Sequence, residues 1–258
     1  MRIVSLLFLF ALCLVPPMAW AEGEGAAVTA RIPKNAPVVM RIASLDRIDA
    51  MAKEMVPLIK PFAPIAVAPL EEMPLSELLF GTSGLKPELI DRAKAAYMVV
   101  EGENVASAFV PAAAGATLEQ PLDLPSGDVA TIENGLLCIR PKGTVAGETR
   151  GTPTAMLEGD FALHVYLDEV IASNRDMIKM MLDMGTAQAG AQMPIPIDLT
   201  GLYQKLPATI MTALDGAKSF DFAMSWDSGV VYTEGLLRAK PDSALSKFFA
   251  RAGAPGAN

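Results

Sequence analysis

The chain has 258 residues, 21 of them basic and 29 acidic, for a formal charge of −8. That balance argues against nucleic acid and anionic membrane surfaces as partners, because both repel negative charge. With 52% hydrophobic and only 19% charged residues the composition excludes bulk disorder, and a chain of this length buries a core without needing disulfides or metal.

The opening stretch MRIVSLLFLFALCLVPPMAWA has Arg2 as its only charge, then an apolar run, Pro16 and Pro17, and small residues at Ala19 and Ala21. This is the pattern of a secretory signal cleaved after Ala21, so residues 22–258 are expected in the periplasm or outside the cell, with a charge of −9 once Arg2 is lost. Leu12-Cys13 raises a lipoprotein cysteine as an alternative, disfavoured by the bulky Leu12 and the better site downstream. After cleavage no second uncharged apolar run is long enough to span a membrane. Cys138 is then the only cysteine, and no internal disulfide can form.

The first expected element is a strand over Pro37 to Ala43, followed by a helix that Ser44 caps, with Leu45, Ile48, Ala52, Met55 and Val56 at helical spacing. Pro57 is expected to end or kink that helix. The next stretch, VPLIKPFAPIAVAPLEEMPL, has prolines at 57, 61, 64, 69 and 74 and reads as an irregular apolar segment that is buried, docked on a partner or inserted among lipid. Pro74 and Pro87 then open two short helices, the second being PELIDRAK. Two hairpins follow, AAYMVVEG with NVASAFVPA around Glu103, and DVATIE with LLCIR through Asn134-Gly135. The second turn sets a register in which Ile132 faces Leu137, Ala130 faces Ile139, and Thr131 faces Cys138.

A Gly- and Thr-rich linker, GTVAGETRGTPT, precedes strand FALHVYLD and a helix containing MIKMMLDMG. GTAQAGAQMPIPIDLTG reads as loop, and LYQKL and TIMTAL as short helices divided by Pro207. Strand SFDFAMSW places Phe220, Phe222, Met224 and Trp226 on one face and returns through Asp227-Ser228-Gly229 into VVYTEGLLRA. Asp242 or Ser243 caps the closing helix SALSKFFARA.

The chain thus divides into a signal at 1–21, a first strand-helix-hairpin half over 30–142, a linker over 143–156, a second half over 157–252 and a tail over 253–258. PVVMRIASLDRI and DFALHVYLDEVI share the order strand, Leu-Asp, amphipathic helix, an internal repeat of pattern more than of residues. The expected fold is α+β, a largely antiparallel sheet or sheets with helices packed on one side, in two pseudo-repeated halves. The ending FDFAMSWDSGVVYTEGLLRAKPDSALSKFF resembles a loosely defined group of bacterial exported proteins built from duplicated strand, helix and hairpin modules. The resemblance implies a fold and brings no catalytic residues with it.

Four features invite chemistry. Wound from Val170, residues Val170, Asn174, Met177, Met181 and Met184 share a sector, with Arg175, Asp176, Lys179 and Asp183 opposite, so the methionine stripe reads as a helix's inward apolar face. A Cu(I) site formed by the same thioethers is the alternative. His164 is the sole histidine, which removes His-rich zinc sites and most triads, and its strand position reads as a structural or surface role over a catalytic one. Ser83-Gly84-Leu85-Lys86 fits the S-x-x-K of serine hydrolases, but Lys86 precedes Pro87 and is biased away from helical geometry. Cys138 reads either as a buried inert thiol or as a disulfide partner for another chain.

The remaining candidate is the proline-punctuated segment, whose Phe62, Ile65, Val67 and Leu70 could bind an apolar small molecule, a lipid or a protein partner. Glu71, Glu72 and Glu77 form its solvated rim. No catalytic, cofactor-binding or metal-binding residue is assigned. The leading expectation is an exported non-enzymatic binding protein, with a Ser83/Lys86 hydrolase and a copper-handling protein using the Met177–Met184 helix as alternatives.

Overall fold

Strand-forming runs and capped helices alternate along the chain to build one nine-stranded sheet, in a computed structural model that describes residues 28, 31–82, 84–101, 106–144, 148–150, 156–192, 200–227 and 229–252, without the side chains of 66, 185–192 and 200–204. The signal segment with Cys13, Glu103, Ser83, Ser228, the 193–199 stretch and the 253–258 tail lie outside these residues. The strands are β1 (Val38–Ile42), β2 (Ala96–Val100), β3 (Ala106–Pro111), β4 (Leu122–Asp123), β5 (Asp128–Glu133), β6 (Leu136–Pro141), β7 (Phe161–Val165), β8 (Ala217–Asp227) and β9 (Val230–Ala239). Their order across the sheet is β4-β5-β6-β3-β2-β1-β7-β8-β9. Pairings β1–β2, β2–β3, β3–β6, β4–β5 and β5–β6 are all antiparallel. Among the described residues seven α-helices accompany the sheet: α1 (Leu45–Ile59), α2 (Pro64–Glu72), α3 (Leu75–Phe80), α4 (Leu167–Ser173), α5 (Arg175–Gln192), α6 (Thr200–Asp215) and α7 (Ala244–Ala252). The fold is α+β.

Local chemistry accounts for several boundaries. Asn134 and Gly135 take φ of 52° and 76°, the left-handed pair of a type I′ turn. The resulting register puts Ile132 opposite Leu137, Thr131 opposite Cys138 and Ala130 opposite Ile139, as the sequence predicts. Ser44 is extended, and its side chain accepts the Arg47 N–H, capping α1. At the closing helix Ser243, not Asp242, takes the cap, its hydroxyl accepting from Ser246 N.

The chain forms two compact units. One holds the described residues up to His164 together with those of Asp221–Gly235; the other holds the described residues of Val165–Phe220 and those from Leu236 onward. In the first, α1 contributes Leu45, Ile48 and Met51 to a cluster with Ile42, Val110 and Leu137, all buried. Strands β3 and β6 lie in the interior of the sheet order and are buried on both faces from Ser107 to Pro111 and from Leu136 to Ile139. In the second unit, α5 and α6 pack on each other and α4 packs on both.

Several expectations are overturned. Residues 56–75 are not irregular: α1 runs through Pro57 to Ile59, and α2 begins at Pro64. Pro64 sits at the first helical position, where a missing N–H is harmless, and Pro74 lies just before α3, whereas Pro57 and Pro69 lie inside α1 and α2 and each forgo one backbone hydrogen bond. PELIDRAK forms only a 3₁₀ turn over Pro87–Leu89, since Asp91 N–H goes to Pro111 O and Ile90 bridges Ala112, so the sheet takes the backbone groups a helix would use. Helix α5 continues through 185–192, where a loop was expected, over a stretch with three alanines and two glutamines. Pro207 does not divide α6, which runs unbroken over Thr200–Asp215.

Candidate functional site

Three helices of the first unit present the proline-rich segment, and a buried polar clamp fixes them. Helix α3 follows Pro74, which has no side-chain acceptor for the free N–H groups at the helix start. Asp49 of α1 supplies it: Oδ1 accepts Ser76 N at 2.8 Å and Oδ2 accepts the Ser76 hydroxyl at 2.7 Å. The Arg92 guanidinium closes the clamp, donating to Asp49 Oδ2 through Nη2 and to Asp46 Oδ1 through Nε at 2.7 Å. Asp49 and Ser76 are both buried. With its charge paired and its oxygens occupied, Asp49 ties α3 to α1 without leaving an uncompensated ion in the interior.

Between these anchors the chain turns outward. Past the end of α1, Lys60, Phe62 and Ala63 direct their N–H groups back to Val56 and Ile59 carbonyls. Lys60 Nζ reaches Glu71 Oε1 at 2.5 Å, spanning the α1–α2 turn. The turn aims two large apolar side chains at solvent, Phe62 at 88% exposure and Ile65 at 90%, and Leu58 before it is also exposed. Leu70 is half-buried and Val67 is buried at 3%, so Val67 anchors α2 inward while Phe62 and Ile65 project. Glu71 and Glu72 are exposed beside the knob and Glu77 is half-buried. Side chains so fully exposed form a protrusion, which can enter a groove but encloses nothing itself.

The other candidates are placed differently. The methionine stripe does not face inward. Met177, Met180, Met181 and Met184 are exposed at 52–61%, whereas Ile178 and Leu182 take the half-buried positions of the same helix. The helical period was read correctly but its direction was not. Branched Ile178 and Leu182 occupy an adjacent sector and are the half-buried ones. His164 is buried at 5%, with Nδ1 2.7 Å from Oδ1 of Asp221, which is fully buried. This pair links β7 to β8 and lies out of reach of solvent-borne substrate. Asp221 was missed because it is 57 residues away; its one signal is an acidic residue on the Ser219–Ala223 face of an otherwise aromatic strand.

Lys86 is exposed and extended at φ −71°, ψ 130°, as its place before Pro87 predicts. Ser83 lies outside the described residues. Cys138 is buried at 3%, and burial pushes its thiol up to about 11, countered only in part by the positive charge of Arg140. A protonated buried thiol is a poor nucleophile and is out of reach of another chain. Among the described residues no group of three or more His, Cys, Asp or Glu is arranged to hold a metal, and no helix is long and apolar enough to cross a membrane. Comparisons with models of known families, with characterised proteins and with solved structures each return no match.

Proposed function

We propose that this is an exported, non-enzymatic protein that seats the apolar knob at the α1–α2 turn in an apolar groove of a partner protein. The observation that carries this reading is the near-complete exposure of Phe62 and Ile65 on a turn held by the Asp49 clamp and the Lys60–Glu71 pair. Each of these side chains forgoes roughly 1.5–3 kcal/mol of burial, which a groove on a partner would recover. A pre-formed knob also loses little conformational freedom on docking, so more of that energy appears as affinity. An enclosed small ligand fits less well, because a protrusion offers it no cavity. A lipid surface fits less well too, since Glu71 and Glu72 flank the knob and Glu71 already pairs with Lys60.

The signal-like N-terminus supports export, and the mature protein would meet its partner in the periplasm or beyond it. The strand order supports a duplicated origin of the kind the sequence resemblance implies. It reads β1-β2-β3 in one direction from the β1–β7 contact and β7-β8-β9 in the other, and Leu45-Asp46 and Leu167-Asp168 each open the helix after the first strand.

Native mass spectrometry of the protein isolated from its own envelope tests the reading, with Phe62→Ser/Ile65→Ser as the comparison. The wild type should carry a second polypeptide in fixed stoichiometry, and the double variant should run alone. A lipid adduct that the variant loses would reassign the knob to lipid, and two bare monomers would remove the basis of the proposal.

A further inference from the structure

The second surface to explain is the outer face of α5. Its described apolar side chains sort by chemistry: Ile178 and Leu182 are half-buried, and all four thioethers, Met177, Met180, Met181 and Met184, are exposed. If methionine served here to fill gaps it would occupy the inner positions, where its flexibility adapts to irregular packing. Those positions hold branched aliphatics instead.

The four methionines form a closed quadrilateral on the helix. Met177 is three and four residues from Met180 and Met181, and Met184 is four and three residues from the same pair, so every side has the i,i+3 or i,i+4 spacing that brings Cβ atoms to about 5–6 Å. Each side chain has three rotatable bonds and is free in solvent, so thioethers from successive turns can close over the middle of the figure. Thioether sulfur is a soft, uncharged donor that ignores hard cations and favours monovalent d¹⁰ ions. The stronger ligands for such an ion, a thiolate and an imidazole, are out of reach: Cys138 and His164 are both buried. The chain's net negative charge of −8 also favours a cation at its surface over an anion.

We infer that Met177, Met180, Met181 and Met184 form a surface site for one soft monovalent cation, Cu(I) or its redox-stable counterpart Ag(I). Binding is ligand exchange only; no electron is transferred and no proton is released, because thioethers carry none. Affinity should therefore stay flat from pH 5 to pH 8, where a thiolate or imidazole site would weaken sharply towards acid. The site rests on α5 alone and stands or falls separately from the knob at the α1–α2 turn.

The test is a titration of the full chain, labelled with ¹³C at the methionine methyls, with Ag(I) at pH 5 and pH 8. The expected result is a one-to-one end point with shifts confined to the four α5 methyls. Met177→Leu/Met181→Leu should weaken binding at least tenfold, and replacing all four by Leu should abolish it. The four positions are exposed, so the Leu variants should melt with the wild type, and a melting curve confirms that loss of binding is not loss of fold. No saturable shift, shifts spread over methionines elsewhere, or unaltered binding by the fourfold variant would each overturn the site.

Discussion

Asp49→Ala should be among the most damaging single changes to a polar residue in the helical layer, and its size follows from the clamp. The substitution removes the acceptor of Ser76 N–H and of the Ser76 hydroxyl, and one of the two carboxylates that Arg92 contacts. Breaking a buried pair from one side costs about 3–5 kcal/mol. Arg92 keeps its Nε bond to Asp46, which puts the expected loss at the lower end, about 3 kcal/mol. For a chain of this length that is a fall in Tm of about 6–12 °C. Asp46→Ala is the informative control. It touches the same guanidinium, but its side chain is 63% exposed, so it should cost under about 1 kcal/mol. Urea unfolding followed by circular dichroism measures both. A loss below 1 kcal/mol for Asp49→Ala, or equal losses for the two variants, would refute the claim that burial of the clamp sets its worth.

Cys138 gives a pH prediction with a definite sign. Burial raises its thiol from 9.0 to about 11, so as pH rises the unfolded chain loses this proton first. The associated stability is complete below pH 9 and drains away between 9 and 11, by about 2 kcal/mol. Cys138→Ala should remove that part of the alkaline slope in urea midpoints between pH 8 and pH 11; parallel slopes in both proteins would contradict it. Phe62→Ser and Ile65→Ser should each change stability by less than about 0.5 kcal/mol, because neither side chain leaves a packed site. A drop in Tm above 5 °C for either would mean the knob is packed after all. Gly135→Ala forces a Cβ into φ +76° and should cost about 1 kcal/mol, read as a lower urea midpoint with unchanged slope; an unchanged midpoint would refute the turn assignment.

What the sequence made legible was local. Asn134-Gly135 dictates its own dihedrals, so the β5–β6 register follows from two residues. Ser44 caps a helix starting one residue later. Prolines misled because a helix can carry one in its interior: Pro64 at a first turn is harmless, and Pro57, Pro69 and Pro207 each forfeit one backbone hydrogen bond without ending their helices. Periodicity located the methionine stripe on α5 without saying which of two adjoining apolar sectors turns inward, a choice settled by neighbouring helices distant in sequence. The polar pairs were invisible for the same reason. Asp49, Ser76 and Arg92 span 43 residues with no repeating pattern, and His164 meets Asp221 only because β7 and β8 are neighbours. At the candidate site, Phe62 and Ile65 stood out as apolar residues with no evident place to hide, whereas the inward turn of Val67 needed α2 to be recognised as a helix.

The most direct test places a photoactivatable phenylalanine analogue at position 62 and illuminates cells producing the full chain. The account predicts one saturable adduct to a single polypeptide, abolished by Ile65→Ser and absent when the probe sits at exposed Glu119 instead. Labelling of lipid, or an adduct indifferent to both the Ile65 change and the position of the probe, would contradict it.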